Sequence, residues 1–263
     1  MPELPEVETT VRYLAPRLRG KRIVKVRTDT PRLFRDHKNP RDVIRKIEGA
    51  VIRDVTRKGK YIVFDLEGKY LLLHLMMSGR LRLDPAEKSP HDRLTLWLSS
   101  NHTLVFNDAR KFGRCRLAGS LDGLAGKEPL TISRAEFRQA LLGKKGAIKP
   151  LLLNQKVIAG IGNIYADEIL WHAGIHALRK VPDLDAAQVR ALWISMRKVL
   201  AEGIKKGGTS MRHFESPNGD AGGYYAIRKA YRRTGEGCPR DGAIIRRIVV
   251  GQRSTHFCPR HQI

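Results

Sequence analysis

The sequence predicts an α+β multidomain protein. An N-terminal β-sandwich would follow an opening helix, with a helical domain next and a β-hairpin tail last. Three observations predict this order. Apolar residues recur at helical spacing from Leu4 to Leu18, strand-like runs fill the chain to about Leu117, and a helical region with a capping box follows at Ser133.

The opening helix places Leu4, Val7, Val11, Leu14 and Leu18 on one face, as spacings of three and four require. Pro16 should end or kink it, and Gly20 should stop it. The strands then read RIVKVRT, VIRDVTR, KYIVFDLE, YLLLHLMM, RLTLWLS and TLVFND, β-branched and aliphatic runs punctuated by Gly, Pro, Asn or Asp. This sandwich domain covers residues 1–118. Residues 119–132, rich in Gly with no strong period, read as a linker. The helical domain covers 133–225. Ser133 with Glu136 forms a capping box, and Asp185 with Gln188 makes a similar start before the stripe Val189, Leu192, Met196, Val199 and Leu200. Between them, LLLNQKVIAGIGNIYADEILWHAGI is helical in composition but interrupted by Gly160, Gly162 and Gly174. Gly207–Gly223 reads as a mobile loop. The tail, 226–263, carries two cysteines, and nine Lys and Arg between Arg228 and Arg260 stand against two acids.

The chain of 263 residues is long enough for about two domains. Fifty Lys and Arg against 26 Asp and Glu leave a net charge of +24. So much like charge repels itself in a compact state and serves a polyanion, nucleic acid first and an anionic membrane second. No apolar run approaches the roughly 18 residues of a membrane span. The acidic start MPELPEVETT lacks the layout of a signal peptide, and three cysteines fit a reducing cytoplasm.

The N-terminus carries chemistry. Removal of Met1 would leave Pro2 as a free secondary amine, with a useful neutral fraction near an α-amino pKa of about 7.7–8.0. Such an amine attacks electrophilic carbon and yields an iminium ion, an electron sink. Glu3 and Glu6 are close enough in sequence for general acid–base work. Read alone, the segment is better explained as ordinary helix-start chemistry, a proline in the first turn followed by acids.

The motifs MPELPEVETT, LMMSGRL, NDARKFGR, EPL, AIKPLLLNQKVIAGIGNIYADEILWHAGIHA, KKGGTS and GEGC…GQRSTHFC occur in this order over essentially the whole chain. Together they resemble the formamidopyrimidine-DNA glycosylase family. The string PELPEVE favours that branch over the related endonuclease VIII branch. The resemblance implies that Pro2 attacks C1′ of a damaged nucleotide, that Glu3 shuttles the proton for the leaving base, and that Glu6 helps hold the N-terminal site. Lys60 would contact phosphate near the lesion, although read alone it is a strand-end lysine. An enzyme acting on a base must flip it out and fill the hole. By the resemblance, Met77, Arg110 and Phe112 are the void-filling residues. Asn163, in a helix–two-turn–helix motif, would bond a flanking phosphate, with Lys149 in the same role nearby. The Gly207–Tyr225 loop would read the lesion. DNA would lie bent in a basic cleft between the two domains.

The family's tail is a zinc finger with four cysteines spaced C-x2-C-x16-C-x2-C. This chain keeps the spacing but places Cys238, Asp241, Cys258 and His261 there. Zinc accepts S, N and O donors, so one structural Zn²⁺ remains chemically allowed. Two thiolates, one carboxylate and one imidazole leave a net charge of −1 with the ion, and such a site should be weaker and more acid-sensitive than four thiolates. Arg253 matches the family arginine that grips phosphates from the finger. Cys115 reads as a core strand residue.

These readings point to a bifunctional glycosylase and lyase of base excision repair, excising oxidised purines through a Schiff base with β,δ-elimination. The expected partner is double-stranded DNA with oxidised bases or abasic sites. No membrane partner is expected, and the protein should act as a monomer in a bacterial-type cytoplasm, at the nucleoid. Two rivals stay open: endonuclease VIII-like activity on oxidised pyrimidines, and a non-catalytic binder of damaged DNA.

Overall fold

A computed structural model describes residues 1–210 and 214–263. The chain divides into two compact units. One contains Met1–Leu124 with Lys206–Gly223, and the other contains Ala125–Lys205 with Tyr224–Ile263.

In the first unit, helix α1 (Leu4–Leu18) precedes β1 (Ile23–Thr28), a 3-10 turn (Pro31–Phe34) and α2 (Pro40–Ile47). Seven strands follow: β2 (Asp54–Lys58), β3 (Tyr61–Asp65), β4 (Tyr70–His74), β5 (Arg80–Leu83), β6 (Asp92–Leu98), β7 (Thr103–Asn107) and β8 (Arg114–Ala118). They form two four-stranded antiparallel sheets, ordered β1-β6-β7-β5 and β2-β3-β4-β8. Their inner faces share one apolar core. Ile23, Leu96 and Phe106 come from one sheet and Ile62, Leu73 and Cys115 from the other. Cys115 is buried on β8, and burial pushes its thiol far above the ordinary range, so it is an inert core residue. Helix α1 buries Leu4, Val7, Leu14 and Leu18 completely.

Of the end or kink expected at Pro16, the end does not occur. The helix continues to Leu18, because a proline in the last turn removes one N–H while the buried Leu18 holds that turn in place. Gly20, with φ 79°, does stop it. Strand β5 and helix α2 escaped the pattern reading, and β8 was anticipated only at Cys115. RLRL and RCRLA alternate arginine with short apolar residues, and α2 buries only Val43 and Ile47. The run VIRDVTR pairs only from Asp54, since Val51 makes a lone bridge to Arg22.

The segment Lys206–Gly223 belongs with the first unit, not with the helical residues that precede it in sequence. Hydrogen bonds tie it there: Thr209 N–H donates to Glu6 Oε1, and Leu83 N–H to the Pro217 carbonyl. Arg80 also pairs with Glu215. Met211, Arg212 and His213, within the loop read as lesion-recognising, lie outside the described residues.

In the second unit, α3 (Arg134–Leu141) starts at the Ser133–Glu136 capping box. Helices α4 (Ile148–Leu153), α5 (Asn163–Ala173) and α6 (Ala186–Lys205) follow, with a 3-10 turn (Val181–Asp183) before α6. Asp185 accepts the N–H of Gln188, and Gln188 accepts that of Asp185, so α6 begins as its sequence indicates. The short α7 (Tyr224–Ile227) leads to the hairpin of β9 (Arg246–Val250) and β10 (Arg253–Phe257). Among the described residues no helix is long and apolar enough to cross a membrane.

Candidate active site and metal centre

Glu3 ends its extended backbone where α1 begins, and its N–H donates to Glu6 Oε2 at 2.6 Å. The other Glu6 oxygen, Oε1, accepts the N–H of Thr209 at 2.7 Å. Both carboxylates are buried, as is Lys60 in the β2–β3 turn. Gly208 has φ +83°, and a Cβ there would sit 2.8 Å from Glu6 Cγ, so only glycine permits this approach. The chain amine lies in the field of all these groups. Burial pushes its pKa below the ordinary value, Glu3 and Glu6 oppose the shift, and Lys60 and Arg110 add to it. Pro2 is buried while Met1 is 49% exposed.

Arg57 places the turn that carries Lys60. Its Nε donates to Glu8 Oε2 on α1 at 2.9 Å, and its Nη1 to the Gly59 carbonyl at 3.0 Å. His74, at the end of β4, accepts the N–H of Met76 on Nδ1 at 3.0 Å. Its imidazole titrates at about 4, because burial and the neighbouring Lys60 and Arg114 all disfavour the cation. It therefore stays a neutral acceptor at neutral pH.

Met77, Arg110 and Phe112 come together although 33 positions separate Met77 from Arg110. Arg110 Nη1 lies 3.6 Å from Met77 Sδ, and its guanidinium lies 4.6 Å from the Phe112 ring centre. Met77 and Phe112 stay exposed. One fully buried carboxylate organises both loops. Asp108 accepts from Ser78 Oγ at 2.6 Å, from Arg110 N at 3.2 Å and from Gly113 N at 2.8 Å. Phe106 packs beneath. A Cβ on Gly79 or Gly113 would come within 2.6 Å of its ring, so both loops need glycine for close approach.

In the second unit, Asn163 opens α5 and donates from Nδ2 to the Ser254 carbonyl at 2.9 Å. With Arg232, Arg247 and Arg253 it lines a concavity of about 560 Å³. Arg253 is exposed at the start of β10. Lys149 does not reach this surface. Its ammonium is fully buried and donates to Asp167 Oδ1 at 2.6 Å, Thr255 Oγ1 at 2.8 Å and the Ser254 carbonyl at 3.0 Å. All three ammonium hydrogens face inward, so Lys149 fixes the hairpin and the carbonyl that Asn163 also uses. Asp167 Oδ2 accepts from both the N–H and Nδ1 of His256.

Cys238, Asp241, Cys258 and His261 converge, with one ligand atom from each lying within 4.8 Å of all the others. Cys258 Sγ lies 3.2 and 3.3 Å from the Asp241 oxygens, and His261 Nδ1 lies 2.9 Å from Asp241 Oδ2. Two sulfurs, an oxygen and a nitrogen at this separation fit a tetrahedral metal ion. Both cysteines are free thiols and buried.

Three family models cover the chain. The formamidopyrimidine-DNA glycosylase N-terminal domain matches residues 1–115, the formamidopyrimidine-DNA glycosylase H2TH domain matches 125–215, and the zinc finger found in FPG and IleRS matches 235–260. A formamidopyrimidine-DNA glycosylase of Roseiflexus sp. (strain RS-1) is 43% identical with all of both chains covered. That of Deinococcus radiodurans is 39% identical over 98% of this chain and 96% of the relative. The chain belongs to the formamidopyrimidine-DNA glycosylase family.

Solved structures agree with this membership. The complex of Lactococcus lactis Fpg with DNA containing an abasic site superposes with a TM-score of 0.90 at 35% identity, covering 99% of each chain. MutM in complex with DNA containing carbocyclic 8-oxo-G gives 0.89 at 36%, again over 99% of each chain. Within the family frame, several positioning residues went unnoticed in the sequence. Asp108 and its left-handed neighbour Lys111 were legible as an acid opening a turn. Arg57 and Asp167 left no local signal, because Glu8 lies 49 positions from Arg57 and His256 lies 89 positions from Asp167.

Proposed function

We propose that this chain is a bifunctional DNA glycosylase and lyase of base excision repair, acting on 8-oxoguanine and formamidopyrimidines in duplex DNA. The observation that carries the mechanism is that Pro2, Glu3, Glu6 and Lys60 are all buried, with the Glu3 N–H held by the Glu6 carboxylate. While Met1 is attached, the Pro2 nitrogen is an amide and no nucleophile. Removal of Met1 turns that nitrogen into a secondary amine at a buried residue next to the buried Glu3. It attacks C1′, Glu3 passes a proton so that the base leaves, and the iminium acidifies the adjacent carbon for β- and then δ-elimination. Lys60 and Arg110 hold phosphate and the emptied stack, with Met77 and Phe112 as apolar wedges. Asn163 and Arg253 take flanking phosphates. Lys149 supports them from beneath.

Cys238, Asp241, Cys258 and His261 would hold one Zn²⁺, and through it these four residues would tie together the hairpin that presents Arg253. Asp241→Ala should lower bound zinc per chain, read by native mass. Unchanged zinc would remove Asp241 from the ligand set. The three free cysteines suit a reducing cytoplasm.

The test is incubation with a duplex carrying 8-oxoguanine opposite cytosine, with borohydride present, followed by intact and peptide mass. An adduct on Pro2, weakened in Pro2→Gly, is expected. Full trapping by Pro2→Gly would overturn the assignment. A duplex with an oxidised pyrimidine, run alongside, separates the two lesion classes.

A further inference from the structure

The second unit carries a second concavity, which shares no lining residue with the one around Asn163 and Arg253. It encloses about 750 Å³ between α3, the turn Leu142–Lys145, the 3-10 turn at Val181 and the start of α6. That volume lies within the usual range for ligand pockets, about 300–1,000 Å³. Its floor is apolar, with Leu141, Val181, Leu184 and Val189 buried or half-buried. Leu142 stands on the rim, 58% exposed.

Arg134, Arg138, Lys144, Lys145 and Arg190 surround this floor. All five are exposed, and none makes an ion pair or side-chain hydrogen bond among the described residues. No acidic residue lines the groove. Of the acids beside it, Glu136 accepts from Ser133 and Lys127 and Asp185 caps α6, while Asp183 in the 3-10 turn is exposed and does not line the groove. Positive charge alone would be unremarkable on a chain of net charge +24. The combination with an open apolar floor is more selective. A DNA backbone presents phosphate and sugar to a protein and gains little from four aliphatic side chains. An acidic peptide with large apolar side chains matches both features, since its carboxylates meet the rim and its apolar groups cover the floor.

We propose that this groove docks an acidic, apolar-bearing peptide segment of a partner protein, independently of the lesion chemistry. The probe is a short fluorescein-labelled peptide of alternating Asp or Glu with Leu and Phe, titrated into the full chain and followed by anisotropy. Saturable binding is expected, retained when an abasic-site duplex saturates the protein. It should weaken at least about tenfold in a variant combining Arg138→Glu and Arg190→Glu, and also in Leu142→Ser. A peptide of aspartate and glycine only should bind at least about tenfold more weakly than the apolar-bearing one. Both variants change exposed side chains, so borohydride trapping on abasic DNA at the wild-type level confirms their fold. Three results overturn the proposal: no peptide binding, equal binding to wild type and variants, or displacement of the peptide by undamaged duplex. The last would make the groove part of the DNA surface.

Discussion

The carboxylate of Glu6 accepts the backbone N–H of Thr209 at 2.7 Å, joining residues 203 positions apart. Its second oxygen accepts the N–H of Glu3. One buried side chain thus fixes the first turn of α1 and the strand of chain around Gly208 together. Glu6→Ala would leave two backbone donors without this acceptor, and the cost should be about 1–3 kcal/mol each. Thermal melting should show the loss. Amide exchange at Thr209 should accelerate, and an unchanged exchange rate would deny the link.

Asp108 gives a second test. Replacing it with Ala strands Ser78 Oγ and the N–H groups of Arg110 and Gly113. A loss of about 2–4 kcal/mol in folding stability is expected from a buried, multiply bonded carboxylate. Affinity for abasic-site duplex should fall with it, because Met77 and Arg110 lose their common anchor. Affinity unchanged in a folded variant would separate Asp108 from the wedge.

His74 makes stability depend on pH. Its folded value of about 4 lies below the ordinary imidazole value, so the unfolded chain binds more protons between the two. The contribution is therefore present above about pH 6.5 and is lost as pH falls toward 4, for a total of about 3 kcal/mol. His74→Asn keeps an acceptor for Met76 but does not titrate. Its stability, from denaturant melts across that window, should fall less steeply than that of the wild type.

Lys149 and Asp167 form an ion pair with both side chains fully buried. Lys149→Met should cost about 3–5 kcal/mol, because Asp167 is left as an uncompensated buried charge. Adding Asp167→Asn should recover part of that loss. A direct phosphate role for Lys149 predicts the opposite pattern: near-normal stability, and weaker DNA binding that the second change does not restore.

Arg253 is exposed, and its effect on DNA should be electrostatic. Binding to undamaged duplex should weaken with salt at a slope near −0.9 per phosphate contacted, and Arg253→Ala should reduce the slope by about 1. An unchanged slope would take Arg253 off the phosphates.

Much of this protein is written locally. The period of Leu4, Val7, Val11 and Leu14, the Ser133–Glu136 box and the six apolar strand runs each depend on neighbours within a few residues. Side-chain period and cap chemistry act over that range, so α1, α3, α6, most sandwich strands and the spacing of Cys238, Asp241, Cys258 and His261 were legible in the sequence. The motifs also carried the family. The long-range pairings were not legible. Nothing near Lys149 says that Asp167 and Thr255 will consume its ammonium hydrogens, and nothing near Glu6 announces Thr209. Met77 and Arg110 meet only because two sheets fold over Phe106 and Asp108. A buried charge takes its partner from whatever the tertiary fold brings within about 3 Å, and no local pattern encodes that distance.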